Sequence, residues 1–234
     1  GINYNLVKRA CRGLASSKKL YCKISPLLSK DYVEIIDKLN CLFNSKMNRK
    51  PLEKRYSSKY LLYKDIDTIN YIDTYHNEID LHYFPEPYLV NQLINLLKPN
   101  ISQYSGSNYY ATDIRLFRTS MDINCGVNTN NKPHLDGNPM GHFKLIVYLD
   151  DVNIENGPFC IVENSNDIPI VGKKGTIILF EHQQQLHRSL PITSGSRSVM
   201  MIEFLRLPFK PRAKTLNATR PINAMRLISP FFIT

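Results

Sequence analysis

The chain has 234 residues, 43% of them hydrophobic, and a formal net charge of +10, enough to bury a full core as one domain without cross-links. Its five cysteines, Cys11, Cys22, Cys41, Cys125 and Cys160, are odd in number and scattered, with no Cys-x-x-Cys pair; this argues against a disulfide framework or a zinc site and for a reducing, cytoplasmic setting. No run approaches the roughly 20 apolar residues of a membrane span, the start of the chain has no apolar leader, and the dispersed positive charge lacks the interleaved aromatics of a single-strand-binding surface. An anionic small molecule is therefore the expected partner, and nucleic acid is disfavoured.

In chain order, residues 1–24 carry Lys8, Arg9, Arg12, Lys18, Lys19 and Lys23 among small and apolar residues. They read as a surface segment leading into a strand near Leu20 to Ile24. Ser25 as cap and Pro26 at the first helical position open a helix from Leu27 to about Met47, with Leu28, Tyr32, Ile35, Ile36, Leu39 and Phe43 at helical spacing. Tyr56 to Phe84 has mixed periodicity and reads as short helices and loops. A second helix runs from Glu86 to about Leu97, with Leu89, Leu93, Leu96 and Leu97 on one face, and stops at Pro99. From Asp113 onward the pattern is that of strands, among them Phe143 to Leu149, Gly175 to Phe180 and Ser198 to Leu205. The tail from Pro208 to Thr234 contains four prolines and reads as irregular.

Four residues in the strand-rich half carry chemistry: His134, Asp136, His187 and Arg197. Side chains two apart on a strand point to one side, so His134 and Asp136 can bind one metal ion from a single strand end. Two imidazoles and a carboxylate can cover one face of an octahedral ferrous ion and leave the other open. Arg197, at the start of a neighbouring strand, is suited to a two-pronged contact with a carboxylate. Two more histidines compete for the distal ligand position. His182 would lose the His-x-Ser pattern and is assigned to the strand end or to solvent; His142 reads as an exposed strand-end residue or as part of the pocket wall. Lys144 and Tyr148 share one face of their strand with Ile146 between them. If that face is the barrel interior, Lys144 needs an anionic partner; the alternative is a stem reaching to solvent.

These residues resemble the Fe(II)/2-oxoglutarate-dependent dioxygenases, and within them the phytanoyl-CoA dioxygenase-like branch. The resemblance covers 113–207 and rests on His134-x-Asp136, Tyr148-Leu149-Asp150-Asp151-Val152, Glu155-Asn156-Gly157-Pro158-Phe159, Gly175-Thr176, His187-x-Ser189 and Arg197. It implies that His134, Asp136 and His187 hold Fe(II) and that Arg197 and Ser189 bind the distal carboxylate of 2-oxoglutarate; from the strand alternation, an inward Lys144, with Tyr148, is expected as a further contact to 2-oxoglutarate or a substrate carboxylate. One stretch departs from the family. Where a Gly-Ser-His is common, this chain has Val162-Glu163-Asn164-Ser165-Asn166, so the substrate does not carry over.

The expected fold is mainly β with helical additions, an α+β chain with a double-stranded β-helix (jelly roll, cupin-like) core. In this reading 1–110 is mostly helical or irregular support, 111–207 the core with the metal site, and 208–234 the tail, all in one domain. The resemblance implies hydroxylation of a small or medium organic molecule with consumption of O2 and 2-oxoglutarate and release of succinate and CO2; the net charge favours a substrate that is a sugar acid, carboxylated, phosphorylated or CoA-linked. The alternatives are a catalytically weak relative acting as a binding module, or an oxygenase acting on a protein or nucleic acid.

Overall fold

A computed structural model of the chain describes residues 20–47, 87–106, 108–121, 132–137 and 141–207, and the backbone of four strands between 54 and 83. The readings of the basic N-terminal segment and of the 208–234 tail lie outside the described residues.

Twelve strands and two α-helices are seen among the described residues. Strand β1 spans Tyr21–Ile24 and helix α1 Lys30–Met47; β2 (Lys54–Ser57), β3 (Tyr60–Tyr63), β4 (Tyr71–Tyr75) and β5 (Glu78–Tyr83) follow, then helix α2 (Pro87–Ser105). The second half supplies β6 (Asn108–Met121), β7 (His142–Tyr148), β8 (Phe159–Glu163), β9 (Asn166–Pro169), β10 (Ile177–Phe180), β11 (His187–Ser189) and β12 (Ser196–Leu207). The large antiparallel sheet has the order β1-β10-β7-β12-β6-β5-β4-β3-β2, and a small sheet the order β11-β8-β9. An isolated bridge between His134 and His187 adds a fourth segment beside β11. The four central strands β10-β7-β12-β6 facing this small sheet make a jelly roll, the expected core.

Alternation along each central strand separates two apolar clusters. Phe143, Leu145, Val147, Ile177, Leu179, Met200, Ile202 and Phe204 pack with the helices through Ile36, Leu39, Leu93 and Leu97. Ile146, Tyr148, Ile178, Phe180, Val199 and Met201 face the other way, onto Phe159 and Ile161 of the small sheet. Tyrosine hydroxyls fasten the helical layer: Tyr32 donates to the Gly175 carbonyl at 2.6 Å and Tyr104 to that of Leu20 at 2.9 Å.

Three elements differ from the sequence reading. Helix α1 starts at Lys30 with Ser29 beneath it, whose Oγ accepts from the Tyr32 amide at 3.3 Å; Leu28 is left 96% exposed. Helix α2 runs through Pro99 to Ser105, because Ile101 and Tyr104 continue its buried face and that packing offsets the hydrogen bond the proline removes. The stretch read as short helices and loops, Tyr56 to Phe84, contains strands that extend the large sheet through the β5–β6 ladder. The stretch 162–166 is a tight hairpin: Asn164 and Ser165 have φ of 49° and 64°, the left-handed pair a two-residue turn requires. At Gly157 φ is 63° and a Cβ would lie 2.4 Å from the Leu190 carbonyl oxygen, so glycine is needed there twice over.

A buried ion pair ties the layers at one end of the sheet. Arg206, 1% exposed, donates from Nη1 to Glu181 at 2.9 Å and from Nε to the Ser105 carbonyl at 3.1 Å, with its guanidinium 4.7 Å from the Phe143 ring centre. Arg206→Ala strands the Glu181 charge and should cost about 3–5 kcal/mol by urea denaturation. Replacing both residues by methionine should recover most of that loss; a double variant as unstable as the single one would show that the cost lies elsewhere.

Candidate metal centre

The short β bridge builds the site. The His134 amide donates to the His187 carbonyl at 3.0 Å and the His187 amide returns the bond at 3.1 Å, while the Asp136 amide donates to the His182 carbonyl at 2.9 Å. This edge pairing sets two histidines from distant parts of the chain side by side, their ring centres 4.5 Å apart. Each imidazole is then oriented by a backbone carbonyl: His134 Nδ1 lies 2.8 Å from the Lys132 oxygen and His187 Nδ1 2.9 Å from that of Gln185. A ring that donates from Nδ1 keeps its lone pair on Nε2, the arrangement metal-binding histidines adopt. Both Nε2 atoms face Asp136, at 3.8 Å from Oδ1 for His134 and 3.7 Å from Oδ2 for His187.

These donors fit a metal ion. One donor atom from each of His134, Asp136 and His187 lies within 4.8 Å of the others, a spread that small side-chain shifts bring to the roughly 3 Å spacing of ligands about 2.1 Å from one ion. Burial pushes the His187 imidazole down to about 4, so it is neutral near pH 7, as a ligand must be. Burial alone would raise the Asp136 carboxyl, but its contacts with His182 and Lys144 outweigh that and hold it well below the usual carboxylate range.

Arg197 and Ser189 also come together. The guanidinium is 4% exposed, and its Nη2 donates to Ser189 Oγ at 3.2 Å and to Thr119 Oγ1 at 3.3 Å. Its Nη1 is buried without a hydrogen-bond partner. A guanidinium held from one side with one amino group unsatisfied is a ready receptor for a carboxylate. Thr119 was missed by the sequence reading; it stands directly opposite Arg197 in the β6–β12 ladder, and only that register gives it away.

Tyr148 and Lys144 both face the barrel interior, and each has a protein partner there. The Tyr148 hydroxyl donates to the Ile170 carbonyl at 2.6 Å and accepts from the Phe159 amide at 3.2 Å. Its only proton is thereby spent on the facing sheet, and burial pushes it up to about 12. Lys144 does point into the barrel interior, where its Nζ lies 2.6 Å from Asp136 Oδ2. The anionic partner that its burial demanded is the carboxylate beside the histidines. His182, read as a strand-end or solvent residue, is fully buried, because it continues the inward alternation of Ile178 and Phe180. His142 Nδ1 lies 2.6 Å from Glu203 Oε1, so its outward, exposed reading is also replaced.

No protein-family model and no curated protein matches the chain in sequence. Solved structures match it in shape. SnoN, described as a non-haem alpha-ketoglutarate-dependent epimerase from nogalamycin biosynthesis, superposes with a TM-score of 0.54 at 10% identity over 93% of this chain and 94% of that one. AviO1 from Streptomyces viridochromogenes gives 0.54 at 14% identity, covering 91% of this chain and 99% of AviO1. EvdMO1 gives 0.53 at 18% identity over 85% of this chain, which spans about half (49%) of EvdMO1. At such identities the likeness is one of fold, and the fold is the jelly roll that SnoN uses.

Replacing His187 with alanine should weaken divalent metal binding by more than the roughly 10- to 100-fold that changes around a ligand set cost. Replacing His182 should stay within that range. Calorimetric titration with Co(II) distinguishes them, and the reverse order would exchange the two histidines as ligands.

Proposed function

We propose that this chain is an Fe(II)/2-oxoglutarate-dependent dioxygenase. The observation that carries this reading is the pairing of an oriented two-histidine, one-carboxylate set with a buried Arg197 guanidinium that has an amino group to spare. In this reading His134, Asp136 and His187 hold Fe(II). Arg197, steadied by Ser189 and Thr119, takes the distal carboxylate of 2-oxoglutarate. The His187-x-Ser189 spacing with Arg197 ten residues on favours the phytanoyl-CoA dioxygenase-like branch.

Iron with 2-oxoglutarate and O2 would supply oxidative decarboxylation to succinate and CO2 and the oxidising power to hydroxylate an unactivated C–H bond. The chain's own part is to bind, orient and exclude water. The Lys132 and Gln185 carbonyls keep both imidazole lone pairs aimed at the metal position. Phe159 and Phe180 pack on His187, with ring centres 5.6 and 5.0 Å away; they keep that side of the site dry, which strengthens every charge interaction inside it. No side chain is required as a nucleophile. The net charge of +10 favours a small or medium anionic substrate, carboxylated, phosphorylated, a sugar acid or CoA-linked.

The test is iron-dependent formation of succinate from 2-oxoglutarate, first without a substrate and then with a panel of anionic metabolites. Wild-type protein should release succinate. Arg197→Ala should need about 10- to 100-fold more 2-oxoglutarate, since a charge-assisted hydrogen bond is worth about 1.5–3 kcal/mol. Succinate release with an unchanged 2-oxoglutarate requirement in the variant would remove Arg197 from the site.

A further inference from the structure

Behind Asp136 lies a second set of metal-type donors. His142, His182 and Glu203 each place one donor atom within 4.8 Å of the others. They come from β7, the turn after β10, and β12, and all face the space between the two sheets. His182 is fully buried, and its Nε2 has no hydrogen-bond partner. Its Nδ1 lies 3.0 Å from Asp136 Oδ2, the contact that helps to hold the Asp136 carboxyl low. A buried imidazole nitrogen left unsatisfied is costly unless something else occupies the space. Two histidines and a carboxylate repeat the donor set of the first site, and Asp136 stands between the two.

The same space holds Lys144. Its ammonium is on Asp136 Oδ2 at 2.6 Å, and the residue lies directly across the β7–β12 ladder from Glu203. Burial would raise Glu203, yet the hydrogen bond with His142 and the charge of Lys144 hold it down, at about 2. Lys144 therefore sits among two carboxylates and the His182 imidazole, where a divalent ion would otherwise be drawn. With a metal ion in the first site and the dianionic cosubstrate on Arg197, the single charge of Lys144 balances that of Glu203. A second divalent ion beside the ammonium would leave two positive charges uncompensated in a dry interior.

We infer that Lys144 is the built-in cation of a latent second metal site formed by His142, His182 and Glu203, and that it keeps the centre mononuclear. The inference rests on the proposed His134–Asp136–His187 site and adds to it a residue that sets how many ions the barrel accepts. Removing the ammonium while keeping the donors should open the second position. Lys144→Arg, which keeps the charge, should not.

The test is metal stoichiometry of the chelator-stripped full chain after equilibrium dialysis against Co(II), read by elemental analysis, with the visible cobalt spectrum as a second readout. Wild type and Lys144→Arg should bind one ion. Lys144→Ala and Lys144→Met should bind two, with a new set of cobalt bands, and Lys144→Ala combined with Glu203→Gln should return to one. Two ions in wild type, or one ion in both neutral variants, would overturn the inference. No ion in wild type would instead overturn the metal centre on which it rests. Should the neutral variants fold only in the presence of Co(II), two ions in the refolded protein support the inference and one ion overturns it.

Discussion

Two backbone hydrogen bonds between His134 and His187 are the constraint on which the site depends. They are edge bonds of a small sheet, made by a segment that contributes a single bridge, yet they fix the distance between the two imidazoles and carry Asp136 into line through the His182 carbonyl. The side-chain orientation is settled by the same local backbone, since the Lys132 and Gln185 carbonyls lie only two residues from the histidines they hold. Geometry built from the backbone is paid for during folding, so little reorganisation is left for the moment a ligand arrives.

The barrel interior is divided along its length by the alternation of β7 and β12. Near Arg197 it presents a lone guanidinium with hydroxyl neighbours, a receptor for an anion. In the middle it is apolar, with Ile146, Val199 and Met201. Toward the start of β7 it becomes a cluster of buried charge: Lys144, Asp136, Glu203, His142 and His182. Burying so many ionisable groups is tolerable only where they neutralise one another, and the ladder register that sets Lys144 opposite Glu203 does that. The Arg206–Glu181 pair is separate in role. It fastens the end of β12 to the end of α2 through the Ser105 carbonyl.

Much of this was legible in the sequence. The His134-x-Asp136 spacing, the two-residue strand period and the apolar runs of β7, β10 and β12 are local signals, and local signals survive in a one-dimensional reading. The failures have a common cause. Helix α2 passes Pro99 because Ile101 and Tyr104 are buried from across the fold, and the strands within 54–83 join an existing sheet edge rather than following an apolar period of their own. Similarly, what Lys144, Tyr148 and Arg197 meet is set outside their own strands: Lys144 meets Asp136 on the segment before β7, Tyr148 spends its proton on Ile170, and Thr119 reaches Arg197 only through the β6–β12 register. Sequence patterns say which face a side chain is on, whereas the register between strands decides what it meets.

The central claim is that one ferrous ion and one 2-oxoglutarate occupy the space between His134, Asp136, His187 and Arg197. Anaerobic titration of the protein with Fe(II) and 2-oxoglutarate, followed in the visible range, tests it most directly. The account predicts a weak charge-transfer band that requires both components and is lost or weakened in Asp136→Ala. Absence of the band in folded wild-type protein supplied with both would contradict it.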